Sequence, residues 1–379
     1  MSDDERRARL ATRHALAPAA RATTPEAAVR AMTALHATEP ASVYLSFWAR
    51  VAGLEVADVD RALYEDRTLV KQLAMRRTIF VFPLDLLPAV WPSASARVAG
   101  TERARMAKDV VLAGLADDGN EWLDRARTEV LDLLATAPEG RPATDIRQAI
   151  PLIDVKVAAG QVWSASRVLT NLGATADIVR GTNAGGWHTS RPRWTLTRHW
   201  LDEVPTPWTA ARGYRELVRR WLHTFGPGTE DDIVWWLGST KAVVRAALAE
   251  LAAVEVSLDG GATGWLLPDD LAEAPDPGPW AALLPVLDPT TMGWKHRGFY
   301  LGPHRDQLFD TRGNAGTTAW VDGRTVGCWV QDADGTVEVR LLEAVSARQR
   351  RALEAEARRL TTWLAGFRVG SVYKTPAMR

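Results

Sequence analysis

The chain has a single cysteine, Cys328, among 379 residues. That excludes an intramolecular disulfide framework and any zinc or iron–sulfur site built on several thiolates, and it fits a reducing cytoplasm. Long apolar runs are also missing. The most apolar stretch, 78–90, is too short to span a bilayer and is interrupted by Pro83, Asp85 and Pro88. The opening MSDDERRARL lacks the apolar core of a secretion signal. A cytoplasmic chain with no membrane contact is expected. Net charge is absent, with 46 basic and 46 acidic residues, so overall charge selects no partner. Metal-ligand spacing is lacking too: His188 and His199 have no cysteine nearby, and His296 and His304 have no third ligand. The glycines of 181–186 come without a Walker lysine, and Ser164 and Ser166 without a nucleophile-elbow motif. Neither a metal nor a cofactor is expected.

What is present is an ordinary globular composition, 46% hydrophobic and 24% charged, in a chain long enough for about two or three domains. Its charge is unevenly spread. Residues 161–200 carry Arg167, Arg180, Arg191, Arg193 and Arg198 against Asp177 alone, whereas 229–288 are strongly acidic. A neutral protein can thereby present one basic face to an anionic ligand.

Local patterns give an α+β chain. Thr24-Pro25-Glu26 combines a capping threonine, a proline suited to the first turn and an acid at the positive helix end. It predicts a first helix running to about His36. Further helices are expected at 44–51 and 58–75, the latter with Val59, Leu63, Leu69 and Leu73 on one face. A β-branched and aromatic strand, 77–82, is stopped by Pro83. Three helices followed by strands recur at 121–196, where the third helix should end at Gly173, and again at 210–267. This is the outline of about three winged helix-turn-helix units, without sequence identity between them. AEAPDPGP, at 272–279, is a linker by composition. Beyond it come strands at 318–321, 325–330 and 337–342 with Asp-Gly turns, then an amphipathic helix at 347–364. The expected division is 1–100, 101–205, 206–271 and 280–379, the first three winged-helix units and the last a β-rich region with a closing helix.

Four segments carry a resemblance. They are LPVLDPTTMGWK at 284–295, YLGPH at 300–304, GNAG at 313–316 and VDGR at 321–324. With their spacing, the chain resembles the winged-helix AlkZ-like family of bacterial DNA glycosylases. The resemblance implies tandem winged helices around a channel for duplex DNA. A monomer is expected. For active members it implies hydrolysis of the N-glycosidic bond of alkylated purines, including bulky adducts. Those members carry Gln–apolar–Gln or Gln–apolar–Asp at the end of the first helix. Matched residue by residue, the first glutamine falls on His36, the apolar residue on Ala37 and the second polar residue on Thr38.

The substitution leaves workable chemistry. An alkylated, cationic base is already a good leaving group, so the needs are a positioned water and stabilisation of an oxocarbenium-like sugar. Glutamine holds a water; neutral histidine holds it and also accepts its proton near neutral pH. Thr38 offers one donor and two lone pairs, and Glu39 stands next to it. Residues two apart on a helix diverge by about 200°, so His36 and Thr38 converge only where the helix ends.

Arginine suits phosphate because its planar fork matches two oxygens. Arg50 at the end of the second helix, and Arg76 and Arg77 before the first wing, are expected to contact DNA. So are Arg167, Arg180, Arg191 and Arg193, with Trp187 and His188 at a hairpin tip suited to probing a groove. Lys295, Arg297 and His304 form a third basic group. The leading expectation is a DNA glycosylase using His36 and Thr38. The rivals are a non-catalytic duplex-binding protein, such as a regulator or lesion-recognition factor, and an interaction protein that has lost DNA binding. Polar side chains at both motif positions favour the first.

Overall fold

Thr24 opens its helix as expected: the side chain accepts from the Ala27 amide, and Pro25 sits in the first turn of Pro25–Met32. Yet this is not the first helix. In the computed structural model, which describes residues 1–157 and 162–379, Asp3–Arg13 precedes it, capped by Ser2 with Asp3, Asp4 and Glu5 in the first turn. No apolar stripe announces that helix because arginines do much of its packing. Arg9 is 2% exposed and bonds Glu5 at 2.7 Å and Asp270 at 3.0 Å. Arg6 lies over the Phe299 ring at 3.6 Å. Long cationic side chains thus bury their stems while their charges are matched.

The chain forms two compact units, Met1–Ala62 with Arg215–Arg379, and Leu63–Tyr214. The four-segment division drawn from sequence cuts the chain differently, and the hairpin beyond Ala62 falls in the second unit rather than with the opening helices.

In the first unit, Ala281–Leu284, Thr318–Val321, Arg324–Gln331 and Val337–Leu341 make an antiparallel sheet in chain order, with Leu283 opposite Ala319 and Cys328 opposite Arg340. Helix Ala347–Leu364 packs on it. Its Leu353, Ala357, Leu360 and Leu364 recur at helical spacing and are all buried. Glu230–Leu237, Lys241–Glu250 and the hairpin Val254–Ser257 with Thr263–Leu266 match their expected order. Much of the core is aromatic: Phe225 meets Trp294 edge-on at 5.2 Å, and Tyr300 stacks on Trp320 at 5.0 Å.

In the second unit, Leu69–Ala74 pairs antiparallel with Thr78–Pro83, Lys71 opposite Val81. The helix expected over 58–75 therefore stops early, with helical turns only through Glu65. Arg67 takes φ +55°, and beyond it burial alternates along Val70, Lys71, Gln72, Leu73 and Ala74 with the period of a strand. The six-residue step from Leu63 to Leu69 already broke the helical period. Ala96–Leu112, Gly119–Ala135, Ala143–Ala149 and Ser164–Ala174 follow; the last runs through Gly173 rather than ending there. Trp122, Val130, Leu134, Ile146, Leu169, Ile178 and Trp194 share one core. Gly119 allows close helix approach: a Cβ there would lie 2.0 Å from the Ala107 carbonyl oxygen.

Candidate functional site

The expected motif lies past the helix rather than at its end. Pro25–Met32 stops at Met32, and Thr33 takes φ +64°, ψ −48°. A β-branched residue seldom tolerates positive φ, and such strain persists only where its surroundings fix it. Here the Thr33 hydroxyl bonds the Arg220 carbonyl at 3.2 Å and the Thr224 hydroxyl at 2.9 Å. The chain then turns into the two-residue strand Leu35–His36. The 200° divergence of a helix does not apply to His36 and Thr38, since the strand ends at His36 and Thr38 lies in a bend before the next helix. His36 is 8% exposed and Thr38 is exposed. Glu39, extended at φ −96°, ψ 113°, precedes Pro40–Arg50, with Pro40 in the first turn. Every residue from Ala41 to Arg50 is buried, so the motif is anchored on a helix enclosed on all sides.

Glu39 points its chemistry elsewhere. Its carboxylate accepts from Ser371 Oγ at 3.4 Å and lines a cavity of ≈ 350 Å³ with Ser42, Trp329, Arg368 and Lys374. Burial pushes its pKa up, partly offset by hydrogen bonds from Ser371 and from the backbone at Val372.

Arg50 is a correction. Expected at a phosphate, it is wholly buried and forms a fork with Asp288, Nη1 to Oδ2 at 2.8 Å and Nη2 to Oδ1 at 2.7 Å. It also donates to the Ser46 carbonyl at 2.9 Å and Thr290 Oγ1 at 2.7 Å. Asp288 in turn accepts from Ser46 Oγ and from the Thr290 amide, both at 2.9 Å. Thr290 Oγ1 further meets His14 Nδ1 at 2.9 Å, and His14 Nε2 bonds the Thr224 carbonyl at 3.1 Å. Burial, with Arg50 and Arg13 nearby, holds the His14 pKa well below its ordinary value. Asp288 also caps the short helix Pro289–Met292 through the Thr290 amide.

The basic group of 295–304 is also engaged internally. Lys295 Nζ reaches Asp231 at 3.2 Å. Arg297 bonds the Trp294 carbonyl at 2.8 Å and lies over Phe309 at 4.5 Å; burial lowers its pKa. His304 Nε2 meets Glu343 at 2.7 Å. His304 is buried and Arg297 only partly exposed, and both are held by internal partners, so they serve the scaffold rather than standing open to phosphate.

In the Leu63–Tyr214 unit, Arg167 pairs with Asp109, and Arg193 bonds the carbonyls of Glu139 at 3.1 Å and Gly140 at 2.6 Å; both serve the fold. Arg77 reaches Glu102 at 3.0 Å yet stays exposed, and Arg76 beside it has φ +53°. Arg191 is exposed, near Trp187 and His188, whose rings meet edge-on at 5.8 Å. Arg180 lies over Trp194 at 4.9 Å and lines a small cleft with Lys71. Lys71 was overlooked because its strand was assigned to a helix; the sequence 69–74 has no apolar–polar alternation, and only the observed burial alternates. Among the described residues, no three His, Cys, Asp or Glu side chains gather as a metal site, and no helix is long and apolar enough to cross a membrane.

Comparison with known proteins agrees with this architecture. A family profile described as "DNA glycosylase AlkZ-like" matches residues 29–363. The fold is similar to that of the Streptomyces sahachiroi DNA glycosylase AlkZ, with a TM-score of 0.76 and 18% identity, covering 96% of this chain and 97% of that one. No curated protein matches the sequence.

Proposed function

Since the chain belongs to the AlkZ-like DNA glycosylase family, a family of DNA repair enzymes, we propose that it hydrolyses the N-glycosidic bond of alkylated or bulky-adducted purines in duplex DNA. The observation that carries the assignment of residues is the non-helical stretch His36-Ala37-Thr38, fixed between strained Thr33 and the buried helix Pro40–Arg50. In this mechanism Thr38 orients a water and His36 accepts its proton as the water oxygen bonds the sugar C1′. The N-glycosidic bond breaks, and its electron pair neutralises the cationic base.

We further read Ala143–Ala149 and Ser164–Ala174 with the hairpin Ile178–Asn183 and Pro192–Leu196 as one winged-helix unit. Glu230–Leu237 and Lys241–Glu250 with their hairpin form another. The side chains best suited to contact DNA are Arg76, Arg77, Arg180 and Arg191, with Trp187 and His188 at the hairpin tip. Support comes from the exposure of Arg77 and Arg191, from the partial exposure of Arg76, Trp187 and His188, and, for Arg180, from a lowered pKa that no acidic group offsets.

The test is base release from methylated and bulky-adducted duplexes by wild type and His36→Ala. Release that His36→Ala abolishes supports the assignment. Wild type that binds duplex with steep salt dependence but releases no base across the panel refutes the enzyme and leaves the non-catalytic alternative.

A further inference from the structure

Glu39 is half-buried and lines a cavity of ≈ 350 Å³ formed wholly by the Met1–Ala62 and Arg215–Arg379 unit. Its carboxylate accepts from the Ser371 hydroxyl at 3.4 Å and from the backbone at Val372. An ionised carboxylate has about four lone-pair sites, so acceptor capacity is left over. Burial raises its pKa, and no cation is among the causes of the shift. A partly desolvated carboxylate without a counter-charge is costly to keep.

The uncharged side-chain donors of the wall are already spent. Ser42 Oγ donates to the Val286 carbonyl at 2.8 Å, Trp329 Nε1 to the Leu284 carbonyl at 2.8 Å, and Thr317 Oγ1 to the Trp329 carbonyl. The Gln331 amide donates to the carbonyls of Gly335 at 3.0 Å and Phe367 at 2.8 Å, and its oxygen accepts from the Val369 amide at 2.8 Å. Arg368 and Lys374 also line the cavity, but both are exposed and keep their charges in water. Ala41, Leu45 and Pro285 supply apolar surface. The interior therefore offers acceptors and apolar contact, and few donors.

A matching occupant brings an apolar body, N–H donors and a positive charge. The volume suits a small molecule, since ligand pockets start at roughly 300 Å³. Alkylation of a ring nitrogen turns a purine into such a body: flat, N–H-bearing and cationic. Glu39 directly follows Thr38 in the chain, with about 3.8 Å between successive Cα atoms, so the cavity begins beside the residue assigned to hold the water. We infer that the cavity receives the base of the damaged nucleotide, with an N–H edge of the cationic, alkylated purine donating to the Glu39 carboxylate. A charge-assisted bond of this kind is stronger than a neutral one. An undamaged base is neutral and leaves Glu39 unmatched, so the site favours damage over normal sequence. The choice of duplex DNA as the source of that purine rests on the function proposed above.

Two measurements test it on the full chain. The first is single-turnover release of N7-methylguanine from a methylated duplex as a function of protein concentration. Glu39→Gln should need roughly tenfold or more protein for the half-maximal rate, the loss falling on binding rather than on the maximal rate. Glu39→Asp, which keeps the charge, should fall between wild type and Glu39→Gln. The second is calorimetric titration with N1-methyladenosine, a cation at neutral pH, and with adenosine, its neutral parent. Wild type should prefer the cation, and Glu39→Gln should lose that preference.

Unchanged half-saturation in folded Glu39→Gln, or no preference of wild type for the cationic nucleoside, overturns the inference while leaving the glycosylase function standing. If wild type releases no base, that function fails and the nucleoside titration decides alone. A Glu39-dependent preference for the cation then keeps the cavity as a site for cationic purines, and its absence overturns that as well.

Discussion

Removing the carboxylate of Asp288 should unfold the Met1–Ala62 and Arg215–Arg379 unit far more readily, and the size of the effect follows from the geometry. Arg50 and Asp288 are both fully buried and joined by two bonds of 2.7 and 2.8 Å. At an effective dielectric of about 20, charges ~4 Å apart attract by about 4 kcal/mol. Removing one member of such a pair leaves the other uncompensated and typically costs about 3–5 kcal/mol. Asp288→Asn and Arg50→Met should each lose about that much, read from the urea midpoint at unchanged slope. The double variant Arg50→Met/Asp288→Asn carries no stranded charge. The Ser46 and Thr290 groups that lose their partners still cost something, but the double variant should cost clearly less than the sum of the two single changes. Single variants costing under about 1 kcal/mol, or effects that simply add, would refute the reasoning.

Other expectations follow from the same contacts. His36→Ala should reduce base release by about 10²–10⁴-fold, while His36→Gln, restoring a water holder, should stay well above Ala in the same assay. His14 is held neutral in the folded state; the unfolded chain takes up a proton as pH falls below the ordinary value of 6.5 and the native state does not. Stability should therefore drop on acidification, with a weaker dependence in His14→Asn by thermal melts between about pH 7 and 5. Glu39 has the opposite sign: its raised pKa means that ionisation destabilises the fold. Glu39→Gln should melt above wild type at neutral pH, with the advantage shrinking as pH falls through the raised pKa and vanishing below the ordinary 4.5. Gly119→Ala, which sets a Cβ 2.0 Å from the Ala107 carbonyl oxygen, should destabilise the Leu63–Tyr214 unit by about 1–3 kcal/mol in chemical denaturation.

Elements whose cues are local were legible in the sequence. Thr24-Pro25, Ser346 with Gln349, and the Asp-Gly turns set helix starts and hairpins through neighbouring hydrogen bonds, and those elements appear where expected. Asp3–Arg13 was not legible, because its arginines are buried by partners such as Asp270, 261 residues away. The strand Leu69–Ala74 was misread because LVKQLA carries no apolar–polar alternation: polar Gln72 is the buried side chain and Leu73 the partly exposed one.

The sequence by itself determined the family and the identity of the side chains at the motif, His36 and Thr38. Both are written in residue order and type, and no packing alters them. Tertiary structure alone decided what each charge does. Arg50 and Arg180 are both arginines expected at phosphate. One meets Asp288 across 238 residues of chain and is neutralised in the core. The other lies over the Trp194 indole at 4.9 Å, with no acidic group among the causes of its lowered pKa. A guanidinium's role follows from the nearest opposite charge and the water it has lost, and both are properties of distance in space.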